Sequence, residues 1–291
     1  MIELDEVDST NNYLRHLEAT DDRRMTLVTA EFQTAGRGAD TNRWESAKGE
    51  NLLFSLRVMP SALPVSRMFA LSEAAALAVR YSLTSPLPAP PLGECLNPAE
   101  RGSFDRNRAL PQRGSGEGAF SVKWPNDIYY GDSKVAGILI ENNLQGALVR
   151  SSIIGIGINV NQRRFLSDAP NPRSLADIVG HDVERHLVLE RFMESFTHYI
   201  NMIDRPDQSD QSDQSDPLDL LHAEYKRHLY RFGEEHSYSD KDGTFRATLI
   251  DVEPSGHLIL RDTEGKRRRY AFKEVRTLSN SPLEGEKKIA K

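Results

Sequence analysis

Cysteine is nearly absent from this chain. A single residue, Cys95, in 291 positions excludes an internal disulfide and fits a reducing compartment, so the cytoplasm is the expected location. No apolar run approaches the roughly 18 residues of a helical membrane span. The N-terminus, Met1-Ile-Glu-Leu-Asp-Glu-Val7, has neither the basic nor the apolar region of a signal peptide. The eight histidines show no paired metal-ligand spacing, so no structural zinc is expected. Neither a Ser-His-Asp nor a Cys-His pattern points to covalent catalysis. A formal net charge of −6 argues against a general nucleic-acid binder, although it leaves room for a local basic site.

Hydrophobic residues make up 38% of the chain and charged residues 27%, an ordinary balance for one large folded domain plus a small one. Residues 1–8 alternate as a strand, and Ser9-Thr10-Asn11 reads as a capped helix start. Strands follow over Thr26–Glu31 and Asn51–Val58, with a polar, Gly-rich loop between them over 34–50 that is expected to be mobile when empty. Val65–Leu83 carries helical spacing. Residues 85–119 are rich in Pro, Gly, Arg and Ser and read as a mobile insertion. Strands resume over Phe120–Trp124, Ile128–Tyr130 and Val135–Glu141, and a hairpin at Gln145-Gly146 leads into Ala147–Asn161. Helical patterns start at Ser174, Leu187 and Leu218, the last two separated by a linker-like repeat over 204–217. The end of the chain alternates as short strands over Thr244–Val252, His257–Asp262 and Arg267–Phe272. The expected fold is α+β: a mixed or mostly antiparallel sheet flanked by helices over 1–231, a small all-β module over 232–279, and a frayed tail over 280–291.

Four stretches carry chemical signals. Gly36-Arg37-Gly38 lets backbone N–H groups approach an anion and adds a guanidinium, although such a triplet alone is more often an ordinary turn. In Lys123-Trp124-Pro125-Asn126-Asp127, Pro125 favours an extended Trp124, and Asn126 and Asp127 suit an Asx-type turn. That mount holds Lys123 at a strand end, where it could equally snorkel over Trp124. Lys134-Val-Ala-Gly137-Ile138 and Gly155-Ile-Gly157-Ile-Asn159 place small residues on strands, for close packing of the sheet or of a flat ligand.

Together, the words Asp8-Ser-Thr-Asn11, Gln33-Thr-Ala-Gly-Arg-Gly38, Asn42-Arg-Trp44, Lys123-Trp-Pro-Asn-Asp127, Lys134-Val-Ala-Gly-Ile-Leu139 and Gly155-Ile-Gly-Ile-Asn-Val160 resemble the biotin protein ligase family over roughly residues 2–162. The resemblance implies a catalytic domain related to the class II aminoacyl-tRNA synthetase core, followed by an SH3-like barrel. It implies that ATP and biotin, with Mg²⁺, form biotinyl-5′-AMP, and that a lysine of a biotin carboxyl carrier protein then takes the biotinyl group. Biotin contacts are implied for Ser9, Thr10, Asn11, Gln33, Gly36, Arg37, Gly38, Lys123, Gly137, Ile138 and Gly157. Nucleotide contacts are implied for Arg37, Trp44, Asn126, Asp127, Lys134 and Asn159, with Lys123 and Arg37 as the catalytic charges and no metal held by the protein alone.

Two features depart from the family pattern. Ala39 stands where relatives often have a second basic residue in the ligand loop, which shifts retention of the adenylate toward Arg37 and backbone groups. The chain starts directly at the catalytic strand, so no DNA-binding domain, and no DNA or membrane partner, is expected; a homodimer is left open. The rival within the superfamily is a lipoate or octanoate ligase or transferase, the latter expected to carry a core cysteine. The rival from another class is a non-catalytic carrier-protein or nucleic-acid binding module, suggested by Arg267-Arg268-Arg269.

Overall fold

The structure is a computed structural model that describes residues 1–18, 24–38, 42–84, 119–166, 171–204 and 216–278. The tail lies outside the described residues, as do Ala39, Cys95 and, apart from residues 119, 204, 216 and 217, the expected insertion and the linker-like repeat.

Seven strands form the main sheet: β1 (Ile2–Val7), β2 (Met25–Gln33), β3 (Leu52–Val58), β4 (Phe120–Lys123), β5 (Asp127–Tyr130), β6 (Ser133–Gln145) and β7 (Leu148–Ile158). Their spatial order is β1-β2-β3-β7-β6-β5-β4. β1 and β2 pair in parallel and are joined by α1 (Thr10–His16), whereas every other neighbouring pair is antiparallel. This is the mixed α+β arrangement expected from the order of strands and helices.

Strand alternation divides the sheet into two faces. Phe54, Leu56, Ile154, Ile156, Ile158, Ala136, Ile138, Ile128 and Val122 join the core beneath α2 (Ala70–Thr84), α4 (Arg185–Asp204) and α5 (Pro217–Arg227). The Ala-rich face of α2 allows close helix packing, and Phe54 meets Phe192 edge-on at 5.0 Å. A fully buried Phe side chain contributes roughly 1.5–3 kcal/mol, so Phe54, Phe192 and Phe196 are each sizeable contributors on this face. The opposite face of β3 presents Leu53, Ser55 and Arg57 to α1, with Leu14 buried against it. The Arg57 guanidinium is buried and donates to the Leu14 and Leu17 carbonyls, tying down the C-terminal end of α1.

Some local expectations are corrected. The helical pattern over 65–83 is broken by a 3-10 turn (Val65–Arg67) ahead of α2. The last helix, expected over Leu218–Tyr230, stops at Arg227, because the backbone of 228–230 instead bonds β4: Val122 N–H donates to the His228 carbonyl and Tyr230 N–H to the Val122 carbonyl, both at 2.8 Å. The short helix α3 (Leu175–Val179) starts where expected, and Ser174 caps it by accepting from Asp177 N–H.

The end of the chain forms a second, antiparallel sheet from β8 (Glu235–Asp240), β9 (Gly243–Val252), β10 (Leu258–Asp262), β11 (Arg267–Tyr270) and β12 (Arg276–Thr277). The polar composition of β8 hid it from the sequence reading; it is held by Tyr238, which stacks on Phe245.

Candidate active site

The site is built on the sheet face that α2, α4 and α5 leave uncovered. At its polar end, the turn from β1 into α1 buries Ser9, Thr10 and Asn11. Ser9 sits at the N-cap position, yet its side chain makes no capping bond, contrary to the expected role. Thr10 N–H donates to Gln33 Oε1 at 2.7 Å, joining α1 to the end of β2. Ser55, fully buried on β3, lies 2.6 Å from both Thr10 Oγ1 and Asn11 Oδ1. Asn11 Nδ2 donates to Glu141 Oε2 at 3.1 Å, and Glu141 Oε1 pairs with Arg15 at 2.6 Å and Arg37 at 3.3 Å.

The floor is a glycine patch. Gly137 on β6 faces Gly157 on β7, and Gly155 faces Ser55 on β3. A Cβ on Gly155 would lie 2.2 Å from Asn11 Oδ1, and one on Gly157 would lie 2.4 Å from Trp44 Cε2, so only glycine lets these side chains meet the sheet backbone. Trp44 is delivered by a short ladder in which Gly38 N–H donates to the Asn42 carbonyl and Trp44 N–H to the Gly36 carbonyl. Its indole covers Gly137 and Gly157, the positions expected to approach biotin, and its buried Nε1–H finds no acceptor among the described residues. An open groove of about 600 Å³ lies beyond Glu141, along Leu14, Arg15, Arg57 and Arg150.

At the cationic end, Lys123 leaves β4 with its ammonium 3.1 Å from Tyr129 Oη and 4.7 Å from the centre of that ring. Burial pushes Lys123 below the usual lysine range, and the Asp127 carboxylate pulls it back up. Lys134 pairs with Asp127 at 2.7 Å and lies 5.9 Å from the centre of the Trp44 ring. The turn carrying Lys123, with a cis Trp124-Pro125 bond, is held from behind. Tyr225 on α5, fully buried, donates to the Pro125 carbonyl at 2.7 Å, and Trp124 Nε1 donates to the Gly256 carbonyl of the second sheet at 3.0 Å. Asn126 is half-buried on the turn; Asn159 is buried with its amide 3.4 Å from the Arg173 carbonyl.

Thus Ser9, Thr10, Asn11, Gln33, Gly36, Arg37, Gly38, Trp44, Lys123, Asp127, Lys134, Gly137 and Gly157 gather on one face. Ile138 does not: it alternates out of phase with Gly137, and its side chain joins the core under the helices. Ser55, Glu141, Tyr129 and Tyr225 were missed. Ser55 and Glu141 sit in strands that read as ordinary alternation, and only the register places them beside Asn11.

A family model, Biotin/lipoate A/B protein ligase family, matches residues 4–159. The chain belongs to this family. It is similar to the bifunctional ligase/repressor BirA of Bacillus subtilis, at 27% identity over 272 residues covering 92% of this chain and 71% of that protein. It is also similar to the biotin--[acetyl-CoA-carboxylase] ligase of Mycobacterium tuberculosis, at 31% identity over 169 residues covering 58% of this chain and 52% of that one. Among solved structures, the biotin protein ligase of Aquifex aeolicus in complex with biotin and ATP shares the fold, with a TM-score of 0.68 at 24% identity over 95% of this chain and 98% of that one. Within this ligase family the constellation reads as a slot with a neutral polar end, a glycine floor and a cationic end. Among the described residues no helix is long and apolar enough to cross a membrane.

Proposed function

We propose that this chain activates biotin with ATP as biotinyl-5′-AMP and transfers the biotinyl group to a lysine of a biotin carboxyl carrier domain. The observation that carries this reading is the pairing of a buried neutral hydrogen-bonding end with a desolvated lysine across a glycine floor. The neutral end suits the fused urea ring, and the floor admits a flat ligand once the indole moves. Lys123 faces the point where a carboxylate attacks the α-phosphate.

That attack brings two anions together. A lysine partly shielded from water and held against Tyr129 supplies positive charge there with little reorganisation of solvent. Arg37, held on Glu141 in this structure, is the second donor and swings to the phosphate. The carboxylate oxygen forms a bond to the α-phosphorus as pyrophosphate leaves, so no nucleophile of the protein is needed. Asp127, Asn126 and Asn159 would offer oxygen donors to a Mg²⁺ accompanying ATP, and such an ion would neutralise the leaving pyrophosphate. Among the described residues no three His, Cys, Asp or Glu groups gather into a site of their own.

We read residues 232–279 as an SH3-like module that braces the Lys123 turn through Gly256. The nucleic-acid alternative loses its main support, because Arg268 is tied to Asp262 and Asp240 and Arg269 to Glu253. The deciding experiment is biotin-dependent exchange of pyrophosphate into ATP, run beside lipoate, followed by transfer to a carrier domain. Exchange with biotin and not lipoate is expected; exchange with lipoate alone, or with neither acid, overturns the reading.

A further inference from the structure

We propose that Glu141 is a positioning residue that fixes the donor and acceptor polarity of the polar end, through a directional relay running Glu141–Asn11–Ser55–Thr10. This rests on the biotin reading above and extends it to how the urea group is told from its analogues.

The direction follows from counting protons. Glu141, paired with Arg15 and Arg37, offers only acceptor oxygens to Asn11. The amide –NH₂ of Asn11 must therefore face Glu141, and its Oδ1 must face Ser55. Oδ1 carries no hydrogen, so the one hydroxyl proton of Ser55 goes there. Ser55 Oγ also lies 2.6 Å from Thr10 Oγ1, and with its own proton engaged it can only accept, so the Thr10 hydroxyl supplies that proton. The free lone pair of Thr10 Oγ1 then faces the slot as an acceptor. Gln33 is set independently by Thr10 N–H: Oε1 turns toward α1, and Nε2 lies beside Gly36, 3.5 Å from where a Cβ there would sit. The slot thus presents an acceptor at Thr10 and donors at Gln33. That pair matches a group with N–H beside C=O, as in a cyclic urea.

The three relay residues beyond the partly exposed Glu141 are shielded from water, which would otherwise let either polarity form: Asn11 is 3%, Ser55 0% and Thr10 3% exposed. Replacing the carboxylate by an amide lets Asn11 turn over, which reverses Ser55: its proton then engages Thr10 Oγ1 and competes with a ligand N–H there, while the Thr10 proton is left to Gln33 Oε1 or the slot.

The test is equilibrium binding without ATP, by calorimetry, of biotin and of biotin N-methylated at either urea nitrogen, to wild type, Glu141→Gln and Ser55→Ala. The methyl's bulk is common to all three proteins and cancels in the ratio of affinities, leaving the worth of the N–H. For one of the two isomers the discrimination should narrow by about tenfold in Glu141→Gln, the size of one hydrogen bond to a correctly polarised acceptor. Ser55→Ala leaves Glu141, Arg15 and Arg37 paired and should narrow it less, since Thr10 retains Gln33 Oε1 at 3.1 Å as an alternative proton acceptor. Wild-type discrimination in both variants overturns the relay. Narrowing in Glu141→Gln alone also overturns it, because it assigns the effect to release of Arg37. If Glu141→Gln does not fold, Ser55→Ala decides by itself. Failure of the wild type to bind biotin is a different result, and it removes the functional reading rather than the relay.

Discussion

The two ends of the slot are held by opposite means. The polar end is a chain of short, directional hydrogen bonds among buried neutral groups, anchored on one carboxylate at Glu141. The cationic end relies on charge with little water, as Lys123 rests on an aromatic ring and Lys134 on Asp127. Its rigidity is imported from outside the sheet, through Tyr225 on Pro125 and Gly256 on Trp124. Directional bonds select among neutral ligands but do little for a charge that exists only in transit. A fixed, desolvated cation does the reverse. Recognition and activation are therefore separable in this site, and substitutions should divide them.

The largest effect is expected at Lys123. Lys123→Ala should cut biotin-dependent pyrophosphate exchange by roughly 10³-fold, the upper range for removing one preorganised charge donor. Biotin binding without ATP should change far less, and the melting temperature should stay close to that of the wild type. Near-normal exchange would falsify the mechanism. The same residue gives a pH test. Desolvation lowers its pKa, so in the free protein the charge is lost as pH rises through a value below the usual lysine range. kcat/KM for biotin should fall across that window. Folding stability should move the other way, because the unfolded chain there still binds the proton that the folded one has released. Lys123→Met should lack both slopes.

Next in size is the floor. Gly157→Ala puts a methyl where Trp44 lies 2.4 Å away, and the rigid indole must shift. Once the indole has moved, the same methyl stands on the floor that the ligand must approach; overpacking of this kind costs about 1–3 kcal/mol, so biotin affinity should drop about 10- to 100-fold. Tyr225→Phe comes third. It strips the Pro125 carbonyl of its donor, a loss of roughly 1–3 kcal/mol in a buried setting. If the brace serves activation, kcat for adenylate formation should fall by more than the KM for biotin rises. Equal changes in both, tracking the melting temperature, would make Tyr225 a stability residue only.

Much of this site was legible in the sequence, for a physical reason. Glycines and the Lys123-Trp-Pro-Asn-Asp127 turn leave marks because few residues can replace them there. Ser9 to Asn11 were marked as a helix start, and the mark was half right: the helix begins there, but the Ser9 side chain does not cap it. Ser55 and Glu141 left no mark, since a serine in an apolar strand and a glutamate after one are commonplace until register places them beside Asn11. Ile138 is implied by the resemblance alone, and the two-residue period of the strand sends its side chain to the face opposite Gly137. Likewise β8 escaped because its polar residues pair with β9, and only Tyr238 is buried.

The smallest predicted effect separates the site from the scaffold around it. Ser174 caps α3 by accepting from Asp177 N–H at 3.2 Å, and it is fully buried. The helix it caps follows a segment bonded to the slot: Leu175 N–H donates to the Asn159 carbonyl, and Arg173 N–H to the Lys134 carbonyl. Ser174→Ala should cost about 1 kcal/mol, the usual worth of an N-cap, and lower the melting temperature by about 2–4 °C. Those backbone bonds do not depend on the hydroxyl, so biotin affinity and exchange should match the wild type below the transition. A fall in the apparent affinity for ATP in this variant, with biotin binding unchanged, would instead show that the Asn159 segment is held in register by the cap. It would also move α3 from the scaffold into the cationic end of the slot.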